Sequence, residues 1–182
     1  MTNSLYFDSD CISAFLWVNE QNLLTKLYPG KVVIPKSAYD ELSHPTTPHL
    51  RQRIDYLISQ KLVSLAFIDV GSDIYALYHK LTTSPDKGYK VIGPGEAASI
   101  ALAKAYDEIV ASNNLNDISL YISEFNLKYI TTGDILIEAL AKGYITENEG
   151  NAIWASMLKK RRRLGAGSFS EYIEIKNKLK NS

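Results

Sequence analysis

Short apolar runs alternate with amphipathic stretches along most of the chain. Leu5–Phe7 is an apolar run that ends at Asp8, and residues 11–18 then repeat apolar side chains at helical spacing. Residues 31–35 are rich in β-formers and close with a proline, and residues 36–42 have a helical pattern. The chain therefore begins with two units in which a strand is followed by a helix.

The same alternation continues through the middle of the chain. Further helices are predicted over residues 48–59, 72–81, 96–106, 116–124 and 134–142. Further extended segments are residues 62–70, 108–112 and 127–130. Most of the predicted strands lack a polar face, which indicates strands buried on both sides. We therefore predict an α/β protein, a three-layer α/β/α sandwich with a mainly parallel central sheet.

The C-terminal part begins with a helix start signal. Thr146 and Glu149 have the spacing of a capping box and predict a last helix that runs into a basic segment. We predict one main domain over residues 1–164, which includes this helix, and a short C-terminal appendix over residues 165–182.

Composition narrows the class of protein. A chain of 182 residues with 46% hydrophobic residues is long enough for one well-packed domain, which would bury roughly 70% of its unfolded surface. The single cysteine, Cys11, lies in an apolar run, which argues against a disulfide scaffold or a Cys-rich zinc site. No signal-like segment and no run of roughly 18 apolar residues is present, so we expect a cytoplasmic protein that does not enter a membrane.

Charge is balanced overall but unevenly distributed. Twenty acidic and twenty basic residues cancel, so the net charge does not indicate a nucleic-acid partner. Five consecutive cations near the C-terminus are Lys159, Lys160, Arg161, Arg162 and Arg163. Such a run is usually a solvated face, and the alternative is a patch that attracts RNA phosphates.

Acidic residues recur close to the ends of the predicted strands. Asp8 ends the first strand and Asp10 follows it, Glu41 lies in the next helix, Glu96 is in the first turn after a glycine-rich loop, and Asp117 follows a later strand. In an open parallel sheet, ligands bind outside the carboxyl ends of the strands. We therefore expect these acids to converge at that edge of the sheet.

A cluster of carboxylates predicts a divalent cation. Two carboxylates about 4 Å apart repel by about 4 kcal/mol at an effective dielectric of 20, and a cation turns that repulsion into attraction. Mg²⁺ prefers oxygen ligands, and Mg²⁺ and Mn²⁺ are both candidates here. Such an ion can acidify a bound water and stabilise charge on a phosphate, and two ions can divide these tasks.

At these positions the sequence resembles the PIN-domain family, whose VapC-type toxin branch consists of single-domain ribonucleases. The matching stretches are residues 5–12 (LYFDSDCI), Ile34-Pro35 with residues 39–42 (YDEL), residues 95–103 (GEAASIALA), residues 112–117 and residues 129–136. Their order and spacing, over residues 5–143, carry the resemblance.

The resemblance implies roles for individual residues. It makes Asp8, Glu41 and Glu96 carboxylates of the metal site, with Asp10 where relatives usually have a polar residue. Many relatives have an Asp pair where this chain has Asn113-Asn114. Either Asp117 reaches in from the following helix, or a second metal is weak or absent. Asn113 would then orient a water or a phosphate, and it counts with the basic run among the candidate RNA-binding residues.

The resemblance also implies a function and partners. We expect a divalent-metal-dependent ribonuclease that hydrolyses RNA phosphodiester bonds through an activated water, with a small antitoxin partner and a homodimeric state as in a toxin–antitoxin pair. One alternative is a haloacid-dehalogenase-like phosphatase with Asp8 as nucleophile, which is weakened because Ile135 stands beside Asp134 where that family wants a second Asp. Another is a catalytically inactive RNA-binding PIN module, suggested by the two asparagines.

Ordinary structural roles compete with these functional ones. Asp8 can cap the helix that follows it, and Glu96 can favour the positive end of its own helix dipole. Glu41 is harder to explain structurally, because a carboxylate late in a helix is disfavoured by the dipole. Asp134 is expected to be a helix cap rather than a catalytic acid.

Overall fold

The sheet of the computed structural model is parallel, as the sequence predicts. The structure describes residues 3–180, so residues 1–2 and 181–182, at the outer ends of the two predicted segments, lie outside the described residues. The strands are β1 Leu5–Phe7, β2 Val32–Pro35, β3 Ser64–Ala66, β4 Ile109–Ala111 and β5 Lys128–Ile130. Within the described chain they form one sheet in the order β3-β2-β1-β4-β5, and every neighbouring pair is parallel.

Helices cover the sheet between and after the strands. Over residues 3–180 they are α1 Ser9–Val18, α2 Gln21–Leu27, α3 Lys36–Glu41, α4 Pro48–Ser59, α5 Asp73–Thr83, α6 Pro94–Tyr106, α7 Leu115–Glu124, α8 Thr132–Ala141, α9 Glu147–Lys159 and α10 Phe169–Lys180. In the part of the chain that the structure describes, none of them has the length and apolar character needed to cross a bilayer.

Two apolar layers lie on opposite faces of the sheet. Leu5 and Phe7 point to a core shared with α1, α2, α4, α8, α9 and α10, whereas Tyr6 points to a core shared with α5, α6 and α7. The alternation follows from the two-residue period of a strand. These layers confirm the predicted three-layer α/β/α sandwich.

Two segments differ from the sequence-based prediction. Helix α2 was not predicted, because Leu23, Leu24 and Leu27 are too few to show a clear period. The sequence predicts a short appendix after residue 164, but the structure shows α10 packed on α8 and α9. Phe169 of α10 is fully buried, with its ring centre 6.0 Å from that of Trp154. This segment therefore shares the main core.

Strand register aligns the residues that follow β1, β4 and β5. Phe7 pairs with Ala111, and Ala111 pairs with Ile130. The amide of Asp8 donates to the Ala111 carbonyl at 3.0 Å, which places Asp8 directly beyond the ends of the two strands. The carboxyl edge of the sheet is therefore where the candidate site lies.

Candidate functional site

Asp8 is a fully buried acid at the end of β1. Its Oδ1 accepts a hydrogen bond from the Cys11 amide at 2.7 Å, so it caps α1, as the structural alternative predicts. Within the described residues, its Oδ2 is buried and has no hydrogen-bond partner. Burial is the main cause that raises the pKa of Asp8 to about 8. The Ser112 side chain and the Cys11 amide lower this pKa as donors, and the charges of Asp10 and Glu96 raise it by smaller amounts. One oxygen of Asp8 is thus left for a further ligand.

Glu96 and Asp117 share one amide donor. Glu96 is in the first turn of α6, and its Oε2 accepts the Gly93 amide at 3.1 Å. Asn114 Nδ2 donates to Glu96 Oε1 at 2.6 Å and to Asp117 Oδ2 at 2.8 Å, so it bridges the two carboxylates. Lys90 pairs with Asp117 at 2.9 Å, and hydrogen bonds from Lys90 and then Asn114 lower the pKa of Asp117. Asp117 does reach toward the edge, as one of the two sequence alternatives requires.

Glu41 lies at the end of α3 and is tied to two other parts of the edge. Its Oε1 accepts the Gly95 amide at 2.8 Å, and its Oε2 accepts the Ser9 hydroxyl. A Cβ atom on Gly95 would lie 2.8 Å from Glu41 Oε2, so this approach depends on glycine. Burial chiefly raises the pKa of Glu96, and the charge of Glu41 adds to that increase. Glu41 therefore belongs to the same electrostatic group.

Asp10 faces the basic segment. Arg162 Nη1 is 3.4 Å from Asp10 Oδ1 and donates to Ser13 Oγ at 3.3 Å. Burial raises the pKa of Asp10, and the charge of Arg162 is the largest opposing effect. The predicted basic run thus reaches the acidic edge through Arg162.

The other predicted RNA-binding residues have varied positions. Lys159, Lys160, Arg161 and Arg163 are exposed. Lys160 Nζ is 5.3 Å from the centre of the Trp17 ring. Asn113 donates to Thr132 Oγ1 at 2.9 Å and accepts the Thr132 amide at 2.9 Å, so it joins the end of β4 to α8. An RNA-binding role for these residues stays a prediction.

Asp134 has the capping role that the sequence favours. Its Oδ2 accepts the Thr131 amide at 3.0 Å, and Thr131 Oγ1 accepts the Asp134 amide at 3.3 Å. Lys176 of α10 pairs with it at 2.7 Å. These contacts account for Asp134 without a catalytic role.

The donors at the edge suit a hard divalent cation in chemical type. Among residues 3–180, no three His, Cys, Asp or Glu side chains lie close enough together to form a metal-binding group as placed. The acids nevertheless affect one another electrostatically. The charges of Asp10 and Glu96 raise the pKa of Asp8, and the charge of Asp117 raises the pKa of Glu96. Mg²⁺ and Mn²⁺ prefer oxygen ligands, and the buried Oδ2 of Asp8, which has no hydrogen-bond partner among the described residues, is such a ligand.

Sequence reasoning missed three contributors to this edge. Asn114 was recognised as a departure from the family pattern but not as a bridge. Ser9 and Gly95 each hold Glu41. The signal for Gly95 was available, because a glycine in the first turn of a helix allows close approach of a side chain. No comparable signal marks Asn114, whose partners are 18 and 3 residues away.

The fold and the acidic edge place the chain among three-layer α/β/α domains that have acidic side chains at the carboxyl edge of a parallel sheet. The family model of the PIN domain matches residues 5–178, and the chain belongs to the PIN-domain family. No curated protein matches the chain. PIN domains are generally nucleases, usually with divalent metals, which makes nucleic acid the expected class of substrate. The match confirms the family resemblance and gives no support to the phosphatase alternative.

Proposed function

We propose that this protein is a divalent-metal-dependent ribonuclease, with Asp8, Asp10, Glu96 and Asp117 as ligands of Mg²⁺ or Mn²⁺ and Glu41 as a further catalytic acid. The observation that carries the proposal is the buried Asp8 carboxyl group. Its Oδ2 lacks a partner within the described residues, and two further acids raise its pKa. The ionised form of such a buried group is costly unless a cation compensates its charge. RNA as the substrate rests on the resemblance to the toxin branch.

Each side chain has a task that follows from its contacts. When bound, the cation would supply an acidified water and stabilise charge on the scissile phosphate. Asp8 is held by its capping bond to Cys11, which leaves its buried Oδ2 without a hydrogen-bond partner among the described residues. Hydrogen bonds from the Ser9 hydroxyl and the Gly95 amide hold the Glu41 carboxylate at the edge of the sheet, where α3 ends. These bonds fix the carboxylates before substrate arrives.

Two substitutions test the assignment. Asp8→Asn and Glu96→Gln keep the size of each side chain and remove its charge, so we expect cleavage of a labelled single-stranded RNA with Mg²⁺ or Mn²⁺ to fall at least about 100-fold. Asp73→Asn is the matched control, because Asp73 is exposed and lies near Ala105 at the far end of α6. Full activity in both site variants would refute the assignment.

A second candidate function is an RNA-binding module without metal chemistry. The observation in its favour is Asn114, whose amide donates to Glu96 and Asp117 where an ion would otherwise join them. Calorimetry with Mn²⁺ separates the two candidates. Heat of binding that disappears in Asp8→Asn supports the nuclease, whereas no binding at millimolar Mn²⁺ leaves the module.

The biological role that we propose is that of a toxin-like ribonuclease with a small antitoxin partner and a homodimeric state. This part rests on the family resemblance. A short overlapping reading frame next to the gene, whose product relieves growth arrest caused by this protein, is the expected finding. Growth arrest that persists in Asp8→Asn would contradict a toxin action based on cleavage.

A further inference from the structure

A cavity of about 230 Å³ opens beside the acidic edge, between α1, the start of α4 and the segment after α9. Residues that line it include Asp10, Ser13, Trp17, Glu41, Leu50 and Arg162. Asp10, a proposed metal ligand, and Glu41, a proposed catalytic acid, therefore form part of its wall. A group bound in this cavity would be an immediate neighbour of the phosphate that those acids serve.

Trp17 gives the cavity an aromatic wall. It lies in the last turn of α1 and is partly exposed, whereas Phe15 and Leu16 before it are fully buried. His49 packs edge-on against its ring, with the ring centres 4.9 Å apart, and this contact fixes the ring orientation. Nucleic-acid bases stack on such partly exposed aromatic rings whatever their sequence.

Arg162 gives the cavity a cationic wall. Its Nε donates to the Lys160 carbonyl at 3.1 Å, which orients the guanidinium group. Its contacts with Asp10 at 3.4 Å and Ser13 at 3.3 Å are long for charged hydrogen bonds, which are usually about 2.7–2.9 Å. Arg162 therefore has donor capacity left for a phosphate oxygen. Lys160 Nζ lies over the Trp17 ring, 5.3 Å from its centre, and adds a second cation to this wall.

We propose that this cavity is a subsite for one nucleotide of single-stranded RNA next to the scissile phosphate, with its base against Trp17 and its phosphate on Arg162. The inference rests on the proposed ribonuclease function. It adds Trp17, which lies outside the basic run and the acidic edge, and it gives Arg162 a defined phosphate contact.

Binding of a short labelled RNA in EDTA, where metal-dependent cleavage is absent, tests the subsite. Trp17→Leu keeps apolar bulk but removes stacking, so we expect about tenfold weaker binding, whereas Trp17→Phe should bind within about threefold of wild type. Arg162→Ala should weaken binding about fivefold and reduce the slope of log Kd against log salt by about 0.7. Tyr106→Ala and Lys128→Ala are controls, because both residues are exposed and lie away from the carboxyl edge.

Tryptophan fluorescence gives a readout that a purely structural role would not move. The RNA should quench the emission of wild type but not of Trp17→Phe, whose remaining Trp154 is fully buried. If Trp17→Leu fails to fold, the fluorescence quench in wild type and the RNA binding of Arg162→Ala still test the subsite. Unchanged binding in Arg162→Ala together with no quench in wild type would overturn the subsite.

The two proposals fail in different ways. Cleavage of RNA by wild type with Mn²⁺, combined with normal binding by Trp17→Leu and Arg162→Ala, would reject the subsite and keep the nuclease. Loss of binding in those variants, combined with no cleavage by wild type, would keep the subsite and reject the nuclease.

Discussion

The Asp8 carboxyl group connects capping, burial and charge in one residue. Its folded-state pKa of about 8 lies above the ordinary value of 3.8, so the folded protein retains a proton that the unfolded chain has lost between these values. In this window stability falls as pH rises, by up to about 1.4 kcal/mol for each pH unit. Without metal, we therefore expect the contribution of Asp8 to the free energy of unfolding to decrease from mildly acidic to mildly alkaline pH.

Asp8→Asn removes this titrating group. In EDTA, the variant should melt at a higher temperature than wild type at about pH 8.5, because it buries no charge, and the difference should shrink toward about pH 5. Thermal melts monitored by circular dichroism measure it. A difference that is constant over this range would show that Asp8 does not titrate as its burial implies.

Asn114 shows why single residues of the site are hard to predict. Its amide satisfies one oxygen of Glu96 and one of Asp117 at the same time. The sequence predicts the two acids from their positions near strand ends, because ligands of an open parallel sheet bind at the carboxyl ends of its strands. Which side chain lies between them depends on the path of the turn after β4, and no sequence pattern determines that path.

At the scale of elements, the junction of α3 and α6 depends on Gly95. A Cβ atom there would lie 2.8 Å from Glu41 Oε2, which is the flexible end of a side chain, so Gly95→Ala should leave the melting temperature almost unchanged. It should displace Glu41 and lower the RNA cleavage rate about tenfold. In Gly93→Ala the added Cβ would lie 3.5 Å from Glu96, an ordinary contact, so activity should stay close to wild type. Equal activity in the two variants would argue against a role for Glu41.

Helix α10 contributes to the core through Phe169. The ring occupies the space above Gly150 of α9, where a Cβ atom would lie 2.4 Å from it. Phe169→Ala should therefore lower the free energy of unfolding by about 3–5 kcal/mol. Leu179→Ala, on the same helix but 69% exposed, should change it by less than about 0.5 kcal/mol. Urea titrations measure both, and similar values for the two variants would mean that α10 is only loosely attached.

The elements illustrate which features a sequence reveals. Strand and helix order was predictable because β1, β2 and β4 are short apolar runs between clear helical periods. The docking of α10 was not predictable from the sequence. Gly150 of α9, against which Phe169 packs, lies 19 residues earlier, and an isolated glycine in a helix usually only lowers the stability of that helix. The positions of the acids near the carboxyl edge were predictable from the strand ends, whereas the docking of α10 on α8 and α9 required the tertiary structure.

For the whole molecule, the sheet order brings opposite charges to one edge. Strands β1 and β4 are neighbours, so Asp8, Glu96 and Asp117 lie at the same edge of the sheet although more than 100 residues separate the first from the last. The chain after α9 returns to the same edge with Arg162. A neutral chain therefore has an acidic centre bordered by cations, which suits a polyanionic substrate held by a metal.

Cation binding should be linked to pH over the whole molecule. Because burial raises the pKa of Asp8, Asp10 and Glu96, these groups must release protons before they bind Mg²⁺. We expect millimolar Mg²⁺ to raise the melting temperature several degrees more at about pH 8.5 than at about pH 6, since alkaline pH leaves the carboxylates charged and mutually repelling until the ion compensates them. In Asp8→Asn the increase should be smaller at both pH values and should depend less on pH.

Scanning calorimetry with and without Mg²⁺ measures the effect, with Asp73→Asn expected to behave as wild type. An Mg²⁺ effect of equal size at both pH values would mean that the ion binds elsewhere than at the buried carboxylates.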